Sequence, residues 1–232
     1  MVFKDPKDGD PIGKSQLIML TQLGKSIYDM PVVWHPTTPT HFKCERGCIC
    51  CGFPFYTDRE FDKLPTHLTN RVHINKRGFH SPFPLEDAGD GSGTCCFFDM
   101  DSAFNYHCTI HEHSPLFCKI FPYYPVIDME RHEIVVLCNE WVDYDGKGFN
   151  DRANRCFGLD KGSDIRKKYD PWLREYLYNL SDRRHLPYFA GHCRLNRTII
   201  DKMISQEQLE HSKRDPIKTF AHFFIKNILP RS

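Results

Sequence analysis

The sequence predicts an α+β protein, small and irregular, organised around a cysteine metal site, with a helical C-terminal region. Three observations predict it. Ten of the eleven cysteines fall between residues 42 and 163. That stretch is rich in turn residues, and its best strand signal is the apolar run in Arg131 to Cys138, RHEIVVLC. Beyond residue 164 apolar residues recur at helical spacing and only Cys193 remains. The chain thus divides into an N-terminal helix with an extended lead-in (1–41), a cysteine-cluster metal-binding domain (42–163) and a helical C-terminal region (164–232).

In the first part, Leu17, Leu20, Leu23 and Ile27 share one face of a helix expected over Ser15 to Tyr28. Three prolines between Pro31 and Thr40 then keep the chain extended. In the middle part, Thr57-Asp58-Arg59-Glu60 fits a capping box and starts a brief helix ending near Pro65. Gly89-Asp90-Gly91-Ser92-Gly93 reads as a loop. In the last part, Asp170-Pro171 and Asp215-Pro216 each read as an N-cap followed by proline at the first helical position. Between them, Arg194 to Ser205 places Leu195, Ile199, Ile200 and Met203 on one side. A final aromatic helix over 216–229 carries Phe220, Phe223 and Phe224, a face for core packing or for a protein partner.

Composition narrows the function classes. Lysine and arginine number 31 against 30 acids, a net charge of +1, so there is no strong nucleic-acid signal. The short basic runs Arg166-Lys167-Lys168 and Arg183-Arg184-His185 read as solvated helix faces. The N-terminus carries charges and prolines where a signal peptide needs an apolar core, and the apolar run Leu17 to Leu20 is far short of the roughly 20 residues a membrane span needs. The expected location is therefore cytoplasmic, with no membrane span. In a reducing compartment an odd count of eleven cysteines points to metal ligands or redox thiols rather than to a disulfide framework.

The strongest chemical signal is Cys44-Glu-Arg-Gly-Cys48-Ile-Cys50-Cys51, four cysteines in eight residues. Intervals this short let one backbone loop curl round an ion and present several thiolates to it. Neighbouring side chains of an extended segment project oppositely, so the pairs Cys50-Cys51 and Cys95-Cys96 suit a polynuclear site better than a lone ion. Further on come Cys108, Cys118, Cys138 and Cys156. His107, His111 and His113 bracket Cys108 as candidate nitrogen ligands, and Asp99, Asp101, Glu112 and Glu140 as candidate outer groups.

The segment Cys108-Thr-Ile-His-Glu-His-Ser-Pro-Leu-Phe-Cys118-Lys-Ile-Phe-Pro122, taken with the first cluster, resembles the YkgJ-type CxxCxxCC family of zinc- or iron-chelating domains. The resemblance covers roughly residues 42–163. It implies eight metal ligands: Cys44, Cys48, Cys50 and Cys51 from the first cluster, Cys96 before Phe97, Cys108 and Cys118 from the central motif, and Cys156 before Phe157-Gly158. Ile110, Pro115, Phe121 and Pro122 stand in register with that motif, while Ser114 and Lys119 replace the family's arginines and His111 its tyrosine. Cys95, Cys138 and Cys193 fall outside it and read as buried small hydrophobes.

Four thiolates serve zinc and iron–sulfur centres alike. The adjacent cysteines and the phenylalanines around them, among them Phe53, Phe55, Phe117 and Phe121, favour an iron–sulfur cluster of the 4Fe-4S type, with zinc as the alternative. An iron–sulfur protein would be redox or cluster-carrying, and a zinc protein would be a stapled interaction module that docks a partner through its C-terminal helices. The resemblance also extends to flagellin lysine N-methylases, which implies a protein-modifying enzyme as a third reading. The chain shows neither a glycine-rich turn for a Rossmann-type S-adenosylmethionine site nor the radical-type cysteine triplet.

Overall fold

The computed structural model of the chain describes residues 14–43, 55–74, 78–82, 97–100, 106–138 and 162–204. The first segment holds helix α1 (Lys14–Lys25), a 3-10 turn at Ile27–Asp29, and strands β1 (Val32–Trp34) and β2 (His41–Phe42). Helices α2 (Asp58–Phe61) and α3 (Thr66–Thr69) and strands β3 (His73–Ile74) and β4 (His80–Ser81) follow. Next come β5 (Phe98–Met100), β6 (Tyr106–Cys108), a 3-10 turn at His111–His113 and α4 (Leu116–Ile120). The longest strands, β7 (Tyr123–Asp128) and β8 (Glu133–Cys138), precede β9 (Ser163–Asp164). Helices α5 (Arg166–Leu180) and α6 (Leu186–Gly191), strand β10 (Cys193–Arg194) and α7 (Arg197–Lys202) complete the described chain.

The sequence dictates the central hairpin. Residues Ile134 to Leu137 are apolar without alternation, as a strand covered on both faces requires. Strand β8 pairs antiparallel with β7, from Tyr123 opposite Cys138 to Asp128 opposite Glu133. Asp128 fixes the turn by accepting the N–H groups of Glu130 and Arg131, both at 3.1 Å. His132 closes it in the left-handed region at φ 58°. Strand β1 adds in parallel to β8 and β10 in parallel to β7, giving a mixed four-stranded sheet in the order β1-β8-β7-β10. The sheet draws strands from all three parts of the sequence, and β2 pairs with β9 across the middle part. The α+β class is thus observed.

One face of the sheet carries Ile134, Val136 and Cys138 into the main core with Leu20 and Leu23 of α1 and Leu173, Leu177 and Leu180 of α5. The other face carries Val135 and Leu137 against Ile200 of α7 and Met203. Helix α1 matches the expected apolar face, with Leu20, Leu23 and the following Ile27 buried. Its close approach to the end of α5 depends on Gly24, where a Cβ would fall 2.5 Å from the Ser181 Cβ. Arg174 of α5 donates to the carbonyls of Ile27 and Tyr28 at 3.0 and 3.1 Å, and so caps the turn that feeds β1.

Two helix starts differ from expectation. Pro171 lies inside α5, which begins already at Arg166. Asp164 accepts the Arg166 N–H at 3.0 Å and the Ile165 N–H bonds Thr40 O at 3.0 Å, so the chain is wound before it reaches the proline. Burial of Tyr169 and Leu173 then outweighs the hydrogen bond that Pro171 cannot make. Asp170, expected as the N-cap, instead pairs with Arg174 at 2.6 Å one turn on. Helix α7 starts at Arg197 rather than Arg194, because Cys193–Arg194 joins the sheet and the Asn196 side chain accepts the Ile199 N–H as N-cap. The loop at Gly89 to Gly93, the signal at Asp215-Pro216 and the helix at 216–229 lie outside the described residues. Among the described residues no helix is long and apolar enough to cross a membrane.

Candidate metal centre

Cys108 and Cys118 are the two motif cysteines within the described residues, and both are half-buried. Cys108 ends β6, opposite Phe98 of β5. It packs against a small core of Tyr56, Leu68, Phe97 and Ile110. Just past it, Thr109 donates from its N–H (2.9 Å) and its hydroxyl (3.0 Å) to the Phe97 carbonyl, which pins the two sides together. The 3-10 turn at His111–His113 follows, and the Tyr56 hydroxyl donates to the His113 carbonyl at 3.1 Å. Pro115 then ends the turn and sets up α4, which carries Cys118.

Helix α4 has only five residues, too few to stand on its own hydrogen bonds. Leu116 and Ile120 face the main core and hold it there. Phe117 packs at the edge of the same core in an aromatic row, 5.1 Å from Phe55, which lies 4.2 Å from Phe79. The helix start is held by Glu60. One carboxylate oxygen accepts the Leu116 N–H at 2.6 Å, and the other accepts the Thr57 N–H at 3.0 Å and hydroxyl at 2.8 Å. The capping box expected at Thr57 to Glu60 is therefore present, and its glutamate also caps the helix of Cys118. Burial pushes the Glu60 carboxyl above its usual range, although these three hydrogen bonds pull the other way.

Cys44, Cys48, Cys50, Cys51, Cys96 and Cys156 lie outside the described residues, as do Cys95, Asp101 and Glu140. Among the described residues no group of three or more histidine, cysteine, aspartate or glutamate side chains is arranged to hold a metal. His113 and Glu112 are exposed. The cysteines outside the motif behave differently: Cys138 and Cys193 are both fully buried in the main core. The Cys193 thiol donates to the Phe189 carbonyl at 3.3 Å.

The structure also assembles a cluster that the sequence reading missed. Asp58 Oδ1 stands 3.1 Å from His80 Nε2 and 3.8 Å from His185 Nε2, while Asp58 Oδ2 is 2.8 Å from Arg184. His80 stacks on Phe61 at 3.8 Å and His185 on Phe79 at 4.4 Å. His185 is fully buried with no hydrogen-bond partner at either ring nitrogen. Its reading as part of a solvated basic face is corrected. The available signal was its place immediately before the apolar Leu186-Pro187-Tyr188-Phe189, which starts a buried helix.

A second histidine, His35, bonds Thr37 Oγ1 through Nδ1 (2.7 Å) and Asp201 through Nε2 (3.2 Å). The Thr37 N–H also reaches Nδ1, at 3.3 Å, so this is a side-chain lock on the turn after β1. No protein-family model, curated protein or solved structure matches the chain.

Proposed function

We propose that the chain is a metal-binding protein whose motif cysteines ligate an iron–sulfur cluster of the 4Fe-4S type, in a redox or cluster-carrying role. The observation that carries the reading is the way burial divides the cysteines. Cys138 and Cys193, which the motif omits, are fully buried among apolar side chains, as inert core thiols are. Cys108 and Cys118, which it includes, are half-buried on short elements at the rim of the core. Their partners in the reading are the thiolates of Cys44, Cys48, Cys50, Cys51, Cys96 and Cys156, whose density in sequence is that of a metal-binding loop. The aromatic row beside Cys118 suits a cluster, since apolar cover limits solvent and sets potential.

Zinc is the second reading. It is favoured by the shortness of α2, α3 and α4, which have few hydrogen bonds of their own and would gain folding energy from a metal staple. In that case the protein would be an interaction module rather than a redox carrier. Anaerobic purification followed by iron, sulfide and zinc analysis separates the two. Iron with matching sulfide and a broad visible absorption band supports the cluster. A colourless protein holding zinc transfers the site to the second reading, and a full-length folded protein without either metal removes both.

A further inference from the structure

We propose that Asp58, His80 and His185 form a proton-operated latch that docks the α2–β4 segment on the start of α6 near neutral pH and releases it on acidification. The segment meets the helical layer through Phe79, buried in the main core beside Tyr188 of α6, and through a rim of polar groups around it. Arg59 approaches Asp182 at 3.7 Å, Lys63 approaches Glu175 at 3.3 Å, and Arg184 reaches back to Asp58 at 2.8 Å. Exposed pairs of this kind contribute little singly. The titratable part of the contact is His185, stacked on Phe79, with the Asp58 carboxylate between its ring and that of His80, which stacks on Phe61 within the segment itself.

His185 is the element that ties this contact to pH. Its ring stacks within 8° of parallel on Phe79, which also meets Tyr188 at 4.4 Å, and both its nitrogens are buried without partners. A phenylalanine there would pack at lower cost, because burying two unpaired polar atoms is unfavourable. The charged groups that face it are Asp58 on α2, His80 on β4, and Asp182 and Arg184 on its own turn. Burial is the largest influence and holds its proton affinity below the ordinary value of 6.5; Asp58 and Asp182 pull upward, Arg184 and His80 downward. The sign follows. An undocked His185 binds a proton more readily than a docked one, so docking is fully stable above about pH 6.5 and weakens as pH falls below it. A charged His185 would also meet an Asp58 carboxylate that Arg184 already neutralises at 2.8 Å.

The test is hydrogen exchange of the full chain, corrected for intrinsic rates, alongside NMR titration of the histidine ring protons. Between about pH 7.5 and about pH 5.5, exchange at 58–61 and 80–81 should rise by up to about tenfold, beginning near pH 6.5 and levelling off only where the docked His185 ring titrates in the NMR spectrum, while β7 and β8 stay protected. His185→Phe keeps the stack and cannot take a proton, so its exchange at those positions should no longer depend on pH. Should that variant not fold, the wild-type titration decides alone. Exchange that stays flat below about pH 6.5, a docked His185 that titrates at or above that value, a rise of equal size in β7 and β8, or a pH response retained in His185→Phe would each overturn the latch.

Discussion

Strand β8 and the arc from β6 to α4 both carry cysteines, and they treat them in opposite ways. In β8 every residue from Ile134 to Cys138 is fully buried, because the sheet has a helical layer on one face and α7 on the other. The arc is split between two cores, Ile110 in a separate four-residue one and Leu116 and Ile120 at the edge of the main one, and single polar contacts join it to its neighbours: Thr109 to Phe97, Tyr56 to His113, and Glu60 to Leu116. Its cysteines remain half-buried. A strand buried on both faces needs nothing further, whereas an arc divided between two cores and joined by a few hydrogen bonds gains most from an added ligand. The comparison therefore separates where the fold gets its stability from where a metal would contribute.

The largest expected effect lies in the sheet. Ile134→Ala removes a fully buried side chain from the main core and should cost ~2–5 kcal/mol of global stability in denaturant unfolding. Ile110→Ala, in the small core, should instead show as faster exchange around residues 55–69 and 108–113 with β7 and β8 still protected. If both variants lowered global stability equally and without local opening, the two regions would be one cooperative unit and the contrast would fail. A smaller effect is expected at Glu60. Glu60→Ala leaves the buried Leu116 and Thr57 N–H groups without their acceptor and should cost about 1–3 kcal/mol. Glu60→Gln keeps an acceptor oxygen and should recover part of that loss, read by melting and by exchange of the Leu116 amide. The smallest is at the β7–β8 turn. His132→Gly relieves a left-handed residue and should raise stability by a few tenths to about 1 kcal/mol in the same unfolding assay.

What could be read in the sequence follows the same division. Strand β8, α1 and the capping box at Thr57 to Glu60 were legible because each has a local cause: an unbroken apolar run, an apolar face at helical spacing, and a serviceable cap. The start of α5 was not. Its apparent proline signal is local, whereas Asp164, Thr40 and the burial of Tyr169 are supplied by the tertiary fold. The core character of Cys138 and Cys193 was legible from their place outside the motif. The grouping of Asp58, His80 and His185 joins three separate stretches of chain, which no spacing in the sequence brings together.

The most direct test of the central claim compares a half-buried cysteine inside the motif with a fully buried one outside it. Cys118→Ser and Cys193→Ser, purified without oxygen beside the wild type, are to be compared in iron and sulfide per chain and in visible spectrum. The account predicts that Cys118→Ser lowers metal content or alters the spectrum, while Cys193→Ser retains the wild-type stoichiometry and spectrum and loses only stability from its packed site. Equal metal loss in the two variants, or a Cys118→Ser protein indistinguishable from wild type, would contradict it.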